Sequence, residues 1–155
     1  KYELIKSSSG KIKNYLDGLS NYYGIQRSTF DSYKFLIKNN DIHFVDADWH
    51  SEHLESFNRI GTRLGTIDKR GILQLNPLAA QVFPEEITQN IVEIDNITDL
   101  DIYFSGGIIR KQFELGGQRV VKYGDYILGT AVASKEGLKS QFPRAFRTQE
   151  IILPQ

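Results

Sequence analysis

The stretch that decides the fold is Arg119 to Arg147, RVVKYGDYILGTAVASKEGLKSQFPRAFR. Arg119 to Tyr123 is a short apolar run, Gly124-Asp125 a turn, and Tyr126 to Ala133 an apolar run going back. Lys135-Glu136-Gly137 supplies a second turn, and a last strand is expected from Phe146 to Leu153. Strands of this length joined by tight glycine turns predict a small closed barrel. Upstream, Ile91 to Ile94 reads as a short strand. Asp95-Asn96-Ile97-Thr98 then caps a helix that runs through Phe104, with Asp99 and Asp101 near its positive N-terminal end. Ser105-Gly106-Gly107 stops it, and a loop is expected from Gly106 to Gly117.

The first half mixes helices and hairpins. Ile12, Tyr15, Leu16 and Leu19 make one apolar helical stripe, with a cap expected among Ser7, Ser8 and Ser9 and a stop at Gly24. Tyr33 to Val45 is a hairpin turning at Asn39-Asn40. Trp49 to Phe57 has helical spacing. Gly61 to Ile67 and Ile72 to Leu75 flank a four-residue turn, Asp68-Lys69-Arg70-Gly71. Asn76-Pro77 opens a helix expected to bury Leu78, Val82 and Phe83. Glu85 to Asn90 is a polar link. The expected class is α+β: an N-terminal α/β domain over residues 1–88, then a small β-barrel domain over residues 89–155.

At 155 residues the chain is long enough to bury a core without covalent staples. It has no cysteine, which removes disulfides, thiolate catalysis, zinc ribbons and iron–sulfur clusters. No apolar run approaches the length of a membrane span, and the first residues lack the apolar core of a signal peptide. A cytoplasmic home is the expectation. The net charge of zero hides a pattern. Residues 106–147 hold eight bases (Arg110, Lys111, Arg119, Lys122, Lys135, Lys139, Arg144, Arg147) against three acids, a local charge of +5. Segregation of this kind suits a surface that meets a polyanion, although charges scattered along a chain can also balance in space.

Other constellations carry less. Asp46, Asp48, His50 and His53 fall within eight residues, but no spacing fixes a metal geometry. Gly116-Gly117-Gln118 is the tripeptide of translation release factors, yet none of that family's surrounding sequence accompanies it, and two glycines before an apolar strand read as a turn. Nucleophile elbows, P-loops and dinucleotide fingerprints are absent. The segment Lys135 to Arg147 interleaves Lys135, Lys139, Arg144 and Arg147 with Phe142 and Phe146. Cations suit phosphates and flat rings suit unstacked bases. The alternative is that both phenylalanines are core and the bases merely solvate an edge.

The run from Ile91 to Leu153 resembles a PUA domain, the RNA-binding barrel named after pseudouridine synthases and archaeosine transglycosylases. The resemblance lies in NIVEI, the helix ending FSGG, the strand pair RVVKYGDYILGTAVAS, and LKSQFPRAFR. The last of these is similar to the PUA-like tail of Sun-type rRNA cytosine methyltransferases. Residues 1–88 are similar, in element order, to the pre-PUA domain of small archaeal and eukaryotic ribosome-biogenesis proteins. The resemblance implies RNA binding without catalysis and without a cofactor, in rRNA or tRNA modification or ribosome assembly. With the basic count it points to Gly106, Gly107, Arg110, Lys111, Arg119, Lys122, Lys139, Arg144 and Arg147, with Phe142 as a stacking ring if exposed. A second expectation is an adaptor docking an RNA methyltransferase or assembly factor. Its motive is the aromatic content of the first half: Tyr22, Tyr23, Phe30, Trp49 and Phe57.

Overall fold

The computed structural model describes residues 3–48 and 61–147. The expected helix from Trp49 to Phe57 and most of the expected last strand lie outside them. The described residues form two five-stranded sheets. The first is antiparallel in the order β1 (Ile5–Lys6), β2 (Tyr33–Lys38), β3 (Asp41–Asp46), β4 (Thr62–Ile67) and β5 (Leu73–Leu75). The second runs β6 (Ile91–Glu93), β8 (Gly117–Tyr123), β9 (Tyr126–Ser134), β10 (Gly137–Ser140) and β7 (Ile108–Ile109), with β6 parallel to β8 and the remaining neighbours antiparallel. Among the described residues three α-helices join them: α1 (Lys13–Tyr23), α2 (Pro77–Ala80) and α3 (Ile97–Phe104). Short 3-10 turns occupy Arg27–Ser32 and Arg144–Phe146.

Local chemistry places the turns. Helix α1 ends because Gly24 takes a left-handed conformation, φ +67°. Its start differs from expectation: Ile12 is the cap residue and no side chain caps it, while Ser9 contributes its carbonyl to Lys13 N. The β2–β3 hairpin turns at Asn39, whose φ is +56°. Asn76 caps α2, its Oδ1 accepting from Leu78 N at 2.9 Å, and Asn96 caps α3 by accepting from Asp99 N at 2.8 Å.

Asp68 organises the β4–β5 turn. Its carboxylate accepts from the backbone N–H groups of Ile72 and Arg70 and from the side chains of Arg70 and Gln74. Those bonds, the Ile72 N–H foremost, bring its pKa from the ordinary 3.8 down to about 2. A carboxylate whose folded pKa is depressed stabilises the fold above the unfolded value, and that contribution fades as pH falls toward the folded one. In urea midpoints, the stability gap between wild type and Asp68→Asn is therefore expected to be constant near neutrality. It should narrow as pH falls from 3.8 toward 2. A gap that ignores pH across that window would refute the assignment.

The first core gathers Leu16, Phe30, Phe35, Ile42, Leu64 and Phe83 between the first sheet and α1. It also takes in Val120 and Ile127 from the second sheet. Strand alternation explains this: Gln118 and Val120 share one face of β8, while Val121 points the other way into a second core with Ala131, Leu138 and Tyr103 of α3. The second sheet is thus covered on both faces, by the first half and by α3.

That covering explains a correction. Among the described residues the second sheet does not close into the expected barrel; β6 and β7 stand at its two edges. Its apolar faces are buried by neighbouring layers, so closure is not needed to hide them. Phe146, expected to begin a strand, lies in a 3-10 turn. Leu78 and Val82, expected inside, are 40% and 42% exposed, because α2 is only one turn long and presents Ala79 and Ala80 inward.

Candidate nucleic-acid interface

The end of α3 and the segment after β10 meet. Gly106, at φ +83°, lets the chain turn off the helix, and Gly107 N returns to Ile102 O at 2.9 Å. A Cβ on Gly106 would stand 2.6 Å from Arg147 Cζ, so the Arg147 guanidinium lies against bare backbone. Arg147 Nε donates to Phe142 O at 2.8 Å. Gly107 O accepts from Ser140 N at 3.0 Å, which brings β10, with its exposed Lys139, alongside. Arg144 is exposed on the intervening turn. Gly106, Gly107 and Arg147 therefore meet at the end of α3, with Arg144 exposed on the adjoining turn. Lys139 is next to them along β10 but on the strand face opposite Leu138 and Ser140, which pack toward α3.

Arg110 and Lys111 are exposed just beyond β7, and Arg110 Nη1 donates to Glu136 O at 3.0 Å. Lys122 lies apart. It pairs with Ile127 on β9, whereas Lys139 pairs with Val132, five residues further along that strand. At about 3.3 Å per residue the separation along β9 is roughly 16 Å.

Two of the expected contacts are structural. Arg119 is buried: Nη2 donates to Leu115 O at 2.6 Å and Nη1 to Tyr22 Oη at 2.8 Å, with the Phe113 ring 5.7 Å away. Its charge is spent joining β8 to α1. Phe142 packs against Phe104 at 4.9 Å and Tyr103 at 5.7 Å between ring centres, as a margin of the second core. The exposed ring of this segment is Phe146, at 57%.

The ion pairs are distributed unevenly. Those formed among the described residues join groups between Glu3 and Arg70. In the +5 segment, the side chains of Lys111, Lys122, Lys135, Lys139 and Arg144 have neither ion pair nor hydrogen bond among the described residues.

Sequence reading missed a cleft of about 820 Å3 between α1, the β4–β5 hairpin and the second sheet. Its floor is Gln118. Gln118 Oε1 accepts from Tyr23 Oη at 2.7 Å and Leu75 N at 3.0 Å, and Nε2 donates to Leu75 O at 2.8 Å and Gln141 Oε1 at 3.0 Å. A side-chain amide thus pairs with both backbone groups of Leu75, as a neighbouring strand would. Burial pushes the Tyr23 hydroxyl pKa up, so it stays a donor. All four hydrogen-bonding positions of the Gln118 amide are thus used within the fold. A lone Gln before a strand gives no sign of this role.

Asp48 N donates to Asp46 Oδ1 at 3.0 Å, and His50 and His53 lie outside the described residues. Among the described residues no group of His, Cys, Asp and Glu could hold a metal ion, and no helix is long and apolar enough to cross a membrane. No protein-family model matches the chain, and no curated protein matches it.

Proposed function

We propose that the chain is a non-catalytic RNA-binding protein of the pre-PUA plus PUA kind, with residues 1–88 and 89–155 as the two parts, acting in rRNA or tRNA modification or ribosome biogenesis. The observation that carries this reading is the set of cations in residues 106–147 (Lys111, Lys122, Lys135, Lys139 and Arg144) that have no partner among the described residues. A fold that used these charges for its own stability would pair them, as the first half pairs Lys13 and Arg27 with Asp17. Lys139, Arg144 and Arg147 beside the Gly106-Gly107 turn offer phosphate donors around exposed backbone, and Phe146 offers a ring.

Anisotropy of labelled single-stranded and hairpin RNAs across a salt series tests it. Wild type is expected to bind with an affinity that falls as salt rises. Lys139→Ala with Arg144→Ala is expected to weaken binding and flatten the log–log slope by about 1.4, at about 0.7 per phosphate contact on single strands. Absence of binding at low salt would sink the proposal. The adaptor reading keeps one favourable observation, the exposed Leu78 and Val82 on α2. Of the aromatics that motivated it, Tyr23 and Phe30 are core and Tyr22 is hydrogen-bonded to β8.

A further inference from the structure

We infer that the cleft between α1 and the second sheet receives one unstacked nucleobase of a bound single strand, with Tyr22 as its stacking platform. The inference rests on the RNA-binding reading and deepens it.

Gly18 is the first sign. It sits inside α1, where glycine is among the worst residues, yet a Cβ there would meet nothing within 4 Å. Packing within the chain does not require a glycine at this position. Its bare surface opens onto the cleft, one helical turn before Tyr22 on the same helix face.

Tyr22 is the second. Its ring is fixed at both ends, by α1 and by its hydroxyl, which donates to Gln118 O at 2.5 Å and accepts from Arg119 Nη1 at 2.8 Å. It is still 36% exposed. A half-open ring held rigidly at the rim of a cavity is what base stacking uses, because little entropy is lost when the base arrives.

The polar lining is the third. Gln141 Oε1 is occupied by Gln118 and Thr130, and Gln141 Nε2 has no acceptor among the described residues. On the hairpin wall, Gln74 gives its Nε2 to Asp68, and its Oε1 has no donor among the described residues. The Asn21 amide has no partner among the described residues. Neutral donors and acceptors on facing walls suit the mixed edge of a base better than they suit an anion. Arg70, the one charged residue lining the cleft among those described, is paired with Asp68. The cleft has room to spare for one base, its volume falling in the roughly 300–1,000 Å3 range of small-molecule pockets.

Finally, the cleft adjoins the cations. Val132 lines it, and Lys139 is the cross-strand partner of Val132 on the same sheet face. A strand whose phosphate rests on Lys139 has the cleft within reach of its next base.

The test uses fluorescein-labelled hexamers of uridylate and adenylate with wild type, Gly18→Ala and Gly18→Leu. It is joined by NMR titration of wild type with AMP and UMP. Gly18→Leu is expected to weaken hexamer binding about tenfold or more with an unchanged salt slope, since it removes a stacking site and no phosphate contact. Gly18→Ala should melt higher than wild type, and the titration should move the amide signals of Gly18, Gly116, Gly117 and the Gln141 side chain. If folded Gly18→Leu binds hexamers as wild type does, RNA binding stands and the cleft assignment falls. If wild type binds no hexamer, the RNA reading falls. The nucleotide titration then decides the cleft alone: shifts at those amides sustain it and their absence overturns it.

Discussion

Gln118→Leu is expected to destabilise the protein by about 3–5 kcal/mol, the orphaning of several buried groups at about 1–3 kcal/mol each. Leucine nearly keeps the volume, so the loss comes from polar partners rather than from a cavity. The Leu75 N–H, the Leu75 carbonyl and the Tyr23 hydroxyl all lose their partner at a buried position. For a chain of this size the melting temperature should fall by about 10 °C. Tyr23→Phe placed in the Gln118→Leu background removes one of the orphans. The double variant should therefore be more stable than the sum of the two single losses, a coupling readable in a double-mutant cycle. A loss below about 1 kcal/mol for Gln118→Leu would mean that water or a neighbour replaces the amide, and that the two sheets are joined by other means.

Phe83→Ala is expected to cost a similar amount, about 3–5 kcal/mol, through a different mechanism. Phe83 is 1% exposed and its ring centre is 5.9 Å from each of Phe30, Tyr33 and Phe44, in edge-on and stacked arrangements. Truncation removes those ring contacts and leaves a void at the centre of the first core, which a sheet and a helix cannot easily collapse to fill. Phe83→Leu should recover more than half of the loss. Val82→Ala, one residue earlier, should stay within about 0.5 kcal/mol because Val82 is exposed. Urea unfolding of the three variants distinguishes this arrangement from one in which both residues are buried, where Val82→Ala would cost well over 1 kcal/mol.

What could be read from the sequence was what short-range chemistry determines. Gly24, Asn39, Asn76-Pro77, Asp68 to Gly71 and Ser105 to Gly107 each mark a turn or cap through their own backbone preferences, and the mixed α+β class with its two hairpins follows from them. Strands β1 and β7 escaped because each is two residues long and exists only through its partner, β2 for one and β10 for the other. The barrel expectation failed for a related reason. Strand lengths and turns describe a ribbon, whereas closure depends on what covers its faces, and here α3 and the first core do so. In the candidate interface, Gly106 lies against Arg147, and Gly107 is joined to β10 beside Lys139. Arg119 does not join them, since alternation along β8 cannot reveal that both faces of that strand are covered.

The placement of Val120 and Ile127 inside the first core, with the Gln118 amide bound to Leu75, changes what the polar link over residues 85–90 does. Hydrogen bonds and apolar contact hold the two halves together, and the link is itself part of that seam rather than the purely polar connector expected. Ile87 is buried in the first core, and the Thr88 and Gln89 N–H groups donate to Tyr23 O. Its unbroken backbone also keeps each half at high effective concentration near the other. Severing it would turn an intramolecular closure into a bimolecular one. The two pieces would then behave as complementing fragments, whose affinity for each other measures how much of the fold's stability resides between the sheets.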